Sequence, residues 1–193
     1  MERLGKDTFD VGTWPGGRTV QIAIGPAGAR YADRTFLWRV SSATVELDES
    51  DFTPLPDYAR WLILLTGEMS LSHDGSEPEA LERNDAYPFD GAAATRCWGR
   101  CTDFGLMLRK GACRGTVFVL VGDAGEERSI DAQDSILILY CVEGGVTVSS
   151  GGPALTIGAG EAVRVDPTDD GRLTLRFEKD GRIAAAEIRE GGP

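Results

Sequence analysis

Short apolar runs separated by turn residues are the feature that most constrains how this chain can fold. Segments such as WLILL, MSLSH, AYPF and TVFVLVG alternate with turn signals, among them Asp74-Gly75 and the tripeptide Arg83-Asn84-Asp85. No stretch keeps a helical period over about three turns. The 25 glycines and nine prolines are scattered among the runs, which favours turns over disorder. The pattern predicts an all-β fold of the sandwich or barrel type.

The two halves of the chain echo each other. LLTGEMSLSHDG resembles YCVEGGVTVSSGG, so that Gly67 corresponds to Gly144 and Gly75 corresponds to Gly152. Further along, the turn at Asn84 corresponds to the one at Gly160. The difference in residue number between corresponding positions is constant to within one residue. Duplication is the simplest explanation. It predicts two tandem antiparallel β-barrels, spanning residues 4–109 and 115–190.

The charge of the chain limits its partners. The formal net charge is −11 and the sequence pI is about 4.6, so the overall field repels nucleic acid and anionic lipid. An anionic ligand would need a local cationic pocket. No apolar run approaches the roughly 18 residues of a membrane span, and MERLGKDTFD is too polar for a secretory signal. Four cysteines without a CxxC pair favour free thiols, and we expect a cytoplasmic protein.

Residues 36–67 contain the best candidates for a functional site. In FLWRVSSATV, strand alternation places Arg39 and Ser41 on one face and Trp38 on the other. Arg60 precedes the apolar run WLILL. If the two strands are neighbours, both guanidinium groups could face one cavity that binds a small anionic metabolite. A buried guanidinium needs a partner, which is either a ligand carboxylate or a protein carboxylate such as that of Asp103.

The other candidates would shape the same cavity. Asp103 would hold an arginine or accept a ligand amine, and Thr19 and Ser41 would donate hydroxyl hydrogen bonds unless they simply fill strands. Trp38 and Phe89 would form apolar walls, although aromatic residues in a barrel are more often core. The predicted ligand-binding residues are therefore Thr19, Trp38, Arg39, Ser41, Arg60, Phe89 and Asp103.

Five segments, FLWRVSSATV, DFTPLPDYAR, LLTGE, YPFDG and CTDFGLMLRK, resemble in order and spacing the HutD/Ves family of bicupins. The family pattern F-x-W-R-x-S-x-A is matched by Phe36, Trp38, Arg39, Ser41 and Ala43. The resemblance implies a double-stranded β-helix, or jelly-roll, in each half and a regulatory link with bacterial histidine degradation. The implied ligand is a pathway intermediate or related small carboxylate, such as a formylglutamate-like molecule.

Two departures from the family pattern bear on the ligand. The family's W-x-N turn is replaced by residues 14–17, WPGG, and the asparagine of its D-F-N block is replaced by Gly105. The family pattern therefore predicts the fold of this chain better than its specificity.

The single histidine argues against metal and nucleophilic chemistry. Cupin metal sites need two or three histidines with a carboxylate, whereas this chain has only His73, expected at an exposed hairpin end. We therefore expect no metal, no cofactor and no catalytic residue. The alternative is a metal-independent isomerase or epimerase acting on a small acid or sugar, which would need His73 inside the cavity beside a carboxylate. The second barrel could also form a homodimer, with the apolar SILILYCV strand as either core or contact surface.

Overall fold

The computed structural model describes residues 1–167 and 171–191, and these residues form strands and two short 3-10 turns without an α-helix. The strands are β1 (Glu2–Leu4), β2 (Asp10–Trp14), β3 (Gly17–Gly25), β4 (Trp38–Val45), β5 (Glu49–Asp51), β6 (Tyr58–Gly67), β7 (Ser70–His73), β8 (Glu79–Ala80), β9 (Ala86–Asp90), β10 (Thr95–Trp98), β11 (Cys101–Arg109), β12 (Cys113–Gly122), β13 (Glu127–Asp131), β14 (Ile136–Ser149), β15 (Leu155–Gly158), β16 (Ala162–Val165) and β17 (Arg172–Glu190). None of the described segments is a helix long and apolar enough to span a membrane.

The chain divides into two compact units. The N-terminal unit consists of Asp10–Val117 with Gly191, and the C-terminal unit consists of Met1–Phe9 and Phe118–Glu190. The all-β prediction is confirmed. The closure of each half into a barrel and the limits of 4–109 and 115–190 stay predictions, as does the homodimer.

The N-terminal unit contains two antiparallel sheets. One has the order β2-β3-β4-β11-β6-β9 and the other the order β5-β10-β7-β8. A buried apolar cluster draws side chains from both sheets, including Leu62, Leu64, Leu71 and Cys97. Each fully buried leucine contributes on the order of 2 kcal/mol through its removal from water. The two sheets are therefore joined by the alternate side chains that face inward from their strands.

The central strand β11 lies between the two strands that carry the candidate arginines. Its register places Met107 opposite Arg39 on β4 and opposite Arg60 on β6. The strands β4 and β6 are therefore separated by β11, so the condition that the two strands are neighbours is not met. Because residues in one row across a sheet share a face, Arg39, Met107 and Arg60 still point the same way. With neighbouring strands about 4.8 Å apart, the two arginine backbones lie roughly 10 Å apart.

The C-terminal unit is built on a seven-stranded sheet around the long antiparallel pair β14 and β17. The register between these strands shifts around Glu143 and Gly145, which marks an irregular stretch of the ladder. Leu137, Leu139 and Cys141 of the SILILYCV segment belong to the buried apolar cluster of this unit. That segment is therefore core within its own unit.

Candidate functional site

A cavity of about 530 Å³ opens into the N-terminal unit. Strands β2, β3, β4, β6 and β11 contribute to its walls, together with residues 31–34 and 51–53. Five of the seven predicted site residues line it, namely Thr19, Arg39, Ser41, Arg60 and Asp103. The replacement of asparagine by Gly105 leaves the wall between Ser41 and Leu62 without a side chain.

Arg39 is buried with neutral partners. Its residue is 7% exposed, its Nε donates to Gln21 Oε1 at 2.9 Å, and its Nη1 donates to Ser41 Oγ at 3.2 Å. The guanidinium carbon lies 4.3 Å from the centre of the Tyr31 ring. Burial lowers the pKa of Arg39 because the charged form is desolvated. Gln21 and Ser41 orient the guanidinium but leave its charge uncompensated.

Arg60 lies between two aromatic rings. Its guanidinium carbon is 5.0 Å from the centre of the Phe52 ring and 4.9 Å from that of Phe89. Burial lowers the pKa of Arg60 to about 10, so the side chain remains a cation at neutral pH. Cation–π attraction offsets part of the desolvation cost.

No carboxylate among the described residues forms an ion pair with Arg39 or Arg60. Within residues 1–167 and 171–191, no carboxylate oxygen lies within 4.0 Å of a side-chain nitrogen of Arg34, Arg39 or Arg60. Asp57, three residues before Arg60 in the sequence, pairs with Arg109 at 3.8 Å. The structural ion pair that the sequence left open is therefore not formed.

Asp103 is the buried acid of the cavity. It is 4% exposed, and its Oδ1 accepts one hydrogen bond, from the Ala43 backbone N–H at 3.3 Å. Burial raises the pKa of Asp103 to about 7, against the smaller opposite influence of that hydrogen bond and of Arg60 and Arg39. The carboxyl group is thus protonated in part of the molecules at neutral pH.

Gln21, Tyr31 and Arg34 are among the cavity residues that sequence reasoning missed. Gln21 stands two positions after Thr19 on β3, so strand alternation alone could have placed it on the same face. Tyr31 and Arg34 belong to the GPAGARYADR loop, which has no period from which their direction could be inferred.

The two predicted aromatic walls lie elsewhere. Trp38 is 1% exposed and packs in the core on the opposite side of β4 from Arg39, so it does not line the cavity. Phe89 stands opposite Arg60 in the register of β9 and β6, and it contacts the Arg60 guanidinium without being a lining residue. Both are therefore packing residues in this structure.

His73 is half-buried rather than exposed, and it does not line the cavity. Its Nδ1 is 2.9 Å from Thr95 Oγ1 and its Nε2 is 3.2 Å from the Tyr87 hydroxyl, which donates to Glu79 at 3.1 Å. Its ring also stacks on Phe89, with 5.0 Å between the ring centres. Both ring nitrogens are engaged by hydroxyl groups, so the imidazole is placed neither as a base toward the cavity nor as a metal ligand.

The described residues also do not fit the metal that many cupins carry. In the part of the chain that the structure describes, no three His, Cys, Asp or Glu side chains converge as a metal site. The cavity offers guanidinium groups, which repel a cation, and one buried carboxyl group. This donor set suits an anion.

Solved structures identify the class of protein. Pirin YhhW from Escherichia coli, in complex with nickel(II), matches 98% of this chain and 99% of its own with a TM-score of 0.73 and 7% identity. An oxalate decarboxylase from Lactobacillus farciminis, in a formate complex, matches 99% of this chain and 86% of its own with a TM-score of 0.67 and 7% identity. The fold is therefore that of the cupins.

The particular family follows from the sequence. The HutD family model matches residues 7–185, so the chain belongs to the HutD family. Protein PA5104 from Pseudomonas aeruginosa PAO1 matches 98% of both chains with a TM-score of 0.83 and 24% identity. HutD from Pseudomonas fluorescens SBW25 matches 99% of both chains with a TM-score of 0.73 and 22% identity. No curated protein matches this chain at a significant level.

Proposed function

We propose that this HutD-family protein binds a small carboxylate metabolite in its N-terminal cavity without a metal, and that it regulates histidine utilisation rather than catalysing a step. One observation carries the proposal. Arg39 and Arg60 face one cavity, and their close contacts are neutral or aromatic groups.

The energetics of the arginines favour an anionic ligand. Both guanidinium groups have lost hydration without gaining an ion pair to any carboxylate in the described part of the chain, and an uncompensated buried charge is costly. A ligand carboxylate would supply that compensation with a charged hydrogen bond worth about 1.5 to 3 kcal/mol. The cavity volume of about 530 Å³ lies within the usual range for small-molecule sites. Ser41 and Thr19 would supply further hydroxyl donors, and Asp103 would hold the arginines or meet a polar group of the ligand.

Family membership suggests which carboxylate the protein binds. The structure of HutD from P. fluorescens was determined in a formate condition, and formate is the simplest carboxylate. By analogy with the family the ligand would be a formylglutamate-like acid or another histidine-pathway intermediate. The four cysteines are free thiols, which suits a reducing compartment, and we propose that the protein acts in the cytoplasm.

A metal-independent isomerase is the second candidate, and it rests on a single group. Asp103 has a pKa of about 7, which suits a general base or acid at neutral pH. The imidazole partner that such a mechanism requires is missing from the cavity, because His73 is held by Thr95 and Tyr87 outside it. Binding without chemistry is therefore the better supported function.

A thermal-shift screen over histidine-pathway intermediates and simple carboxylates tests the proposal. The wild-type protein should gain several degrees in melting temperature at a ligand concentration about 100 times the dissociation constant. Arg39→Ala and Arg60→Ala should remain folded and lose this gain. Arg100→Ala provides the control, because Arg100 is exposed and pairs with Asp48 outside the cavity. If no carboxylate raises the wild-type melting temperature, the proposed ligand class is wrong.

A further inference from the structure

The carboxyl group of Asp103 has one oxygen that the protein leaves open. Its Oδ1 accepts the hydrogen bond from the Ala43 N–H, whereas its Oδ2 has no hydrogen-bond partner among the described residues. Oδ2 is also not one of the unpartnered side-chain atoms that are fully buried in this part of the chain, so it keeps some contact with open space. Because Asp103 is almost fully buried and lines the cavity, that open space is the cavity. A ligand in the cavity can therefore reach Oδ2.

Two cations act on Asp103 from the neighbouring strands without pairing with it. Arg39 on β4 and Arg60 on β6 both stand in the row of Met107, four residues along β11 from Asp103. That separation is roughly 13 Å between backbones. Neither arginine forms an ion pair with Asp103. Burial raises the pKa of Asp103 by more than the attraction of the two cations lowers it. The cavity thus has a cationic end at the arginines and a weakly acidic end at Asp103.

Two buried thiols near Asp103 stay neutral. Burial raises the pKa of Cys97 on β10 to about 11 and that of Cys101 on β11 to about 12, with the charge of Asp103 as a smaller cause. The remaining titratable residues of the cavity wall are Asp10, Tyr31, Arg34 and Asp51, and none of them contributes to the shift in the pKa of Asp103. The proton of Asp103 therefore responds to the two arginines and to an anion that binds them.

An anion at the arginines changes the protonation of Asp103 in one direction. In the free protein, the charges of Arg60 and Arg39 favour the ionised carboxylate of Asp103. A bound carboxylate neutralises these cations and adds a negative charge of its own, so both effects favour the protonated form. A protonated carboxyl group has an O–H donor, and a ligand oxygen in the cavity can accept its hydrogen bond. A buried carboxylic acid that stays neutral can serve a binding site in this way.

We propose that Asp103 meets the ligand as a neutral carboxyl group that donates a hydrogen bond to a ligand oxygen, so that binding of a carboxylate takes up one proton. This role rests on the proposed binding function and specifies how pH regulates it. It also selects a ligand with an acceptor atom at the Asp103 end of the cavity. The opposite role, an ionised Asp103 that meets a ligand ammonium group, would release a proton on binding.

Calorimetry measures the exchanged proton directly on the wild-type protein. N-formylglutamate and glutarate are titrated at pH 6, 7 and 8 in two buffers of different ionisation enthalpy, neither of them a carboxylate or a phosphate. Both ligands are ionised above about pH 6, so the proton taken up goes to the protein. We expect an uptake of about half a proton to one proton per ligand at pH 8 and almost none at pH 6. The affinity should fall about 5- to 10-fold from pH 6 to pH 8.

Substitutions assign the proton to Asp103. Asp103→Asn keeps an acceptor for the Ala43 N–H and supplies a permanent donor. It should therefore bind without proton uptake and with the same affinity at pH 6 and pH 8. Asp103→Ser also keeps a donor that does not titrate, and it should repeat this result if Asp103→Asn folds poorly. Asp48→Asn removes an exposed carboxylate outside the cavity and should retain the wild-type uptake.

The possible failures are distinguishable. Binding without proton uptake at pH 8, or an uptake that persists in Asp103→Asn, overturns the neutral role of Asp103 alone. Release of a proton on binding overturns it as well, because it would show that Asp103 meets the ligand as an ionised carboxylate. If no carboxylate binds at any of the three pH values, the proposed function is wrong and the role of Asp103 falls with it.

Discussion

The ionisation of Asp103 links the cavity to pH. Because burial raises the pKa of Asp103 to about 7 from its ordinary value of 3.8, the folded protein holds this proton over a range in which the unfolded chain has released it. The stability that Asp103 contributes is therefore greatest below pH 4 and is lost as the pH rises toward 7, with no further loss above. The slope inside this window is roughly 1.4 kcal/mol per pH unit.

Asp103→Asn should remove this dependence, because the amide has the same shape and does not titrate. Its oxygen can still accept from the Ala43 N–H. We expect the variant to gain stability relative to the wild type between pH 5 and pH 8, as measured by urea unfolding at both values. Asp48→Asn, at an exposed carboxylate, controls for the loss of one charge. An equal difference between Asp103→Asn and wild type at the two pH values would contradict a neutral buried carboxyl group.

The residues found from the sequence and those missed differ in how they are positioned. Arg39 and Ser41 both line the cavity, and strand alternation alone is enough to put them on one face of β4. Trp38 was assigned to a wall although the same alternation puts it on the other face. Arg34 could not be found, because its position depends on a left-handed backbone held by the hydroxyl of Tyr58, a residue distant in sequence.

Among the elements, most strands were predictable and the order of strands in the sheet was not. WLILL forms the buried part of β6, and MSLSH contains β7. The insertion of β11 between β4 and β6 depends on long-range pairing, which no local pattern encodes. The cavity owes its width to that insertion, since the two arginine-bearing strands would otherwise be adjacent.

The internal echo corresponds to a shared backbone conformation. Gly67 has φ 83° and Gly144 has φ 82°. At both positions a Cβ atom would collide with the backbone of another part of the chain. A Cβ at Gly67 would lie 2.1 Å from the Arg100 carbonyl oxygen, and one at Gly144 would lie 2.5 Å from that of Asp180. The echo holds again at Asn84 and Gly160, which are both left-handed.

Alanine substitutions separate the cost of the left-handed backbone from the cost of the steric collision at these glycines. Gly67→Ala and Gly144→Ala should each destabilise the protein by at least about 2 kcal/mol, through the left-handed backbone and the collision together. Gly75→Ala, with φ 78° and no atom within 4 Å, should cost only about 1 kcal/mol. Gly152→Ala has neither problem and should be near neutral. Denaturant unfolding measures all four, and equal costs throughout would show that these positions do not require glycine.

At the scale of the whole molecule, the C-terminal unit is assembled from both ends of the described chain. Strand β1 pairs with β16, so that Arg3 stands opposite Val163 and Leu4 opposite Ala162. The side chain of Arg3 also donates to the Thr156 carbonyl and lies 3.9 Å from a carboxylate oxygen of Glu161. Without β1, that edge of β16 would present unpaired backbone groups.

Removal of residues 2–5 should therefore weaken the C-terminal unit selectively. Buried free thiols report on each unit, because Cys141 lies in the core of the C-terminal unit and Cys97 and Cys101 lie in that of the N-terminal unit. We expect the deletion to speed the alkylation of Cys141 by about 5- to 100-fold, corresponding to a loss of roughly 1 to 3 kcal/mol, when followed by mass spectrometry under native conditions. The labelling of Cys97 and Cys101 should stay at the wild-type rate. Equal acceleration at all three thiols would show that the first strand stabilises both units as one cooperative structure, and an unchanged Cys141 rate would show that its pairing contributes little.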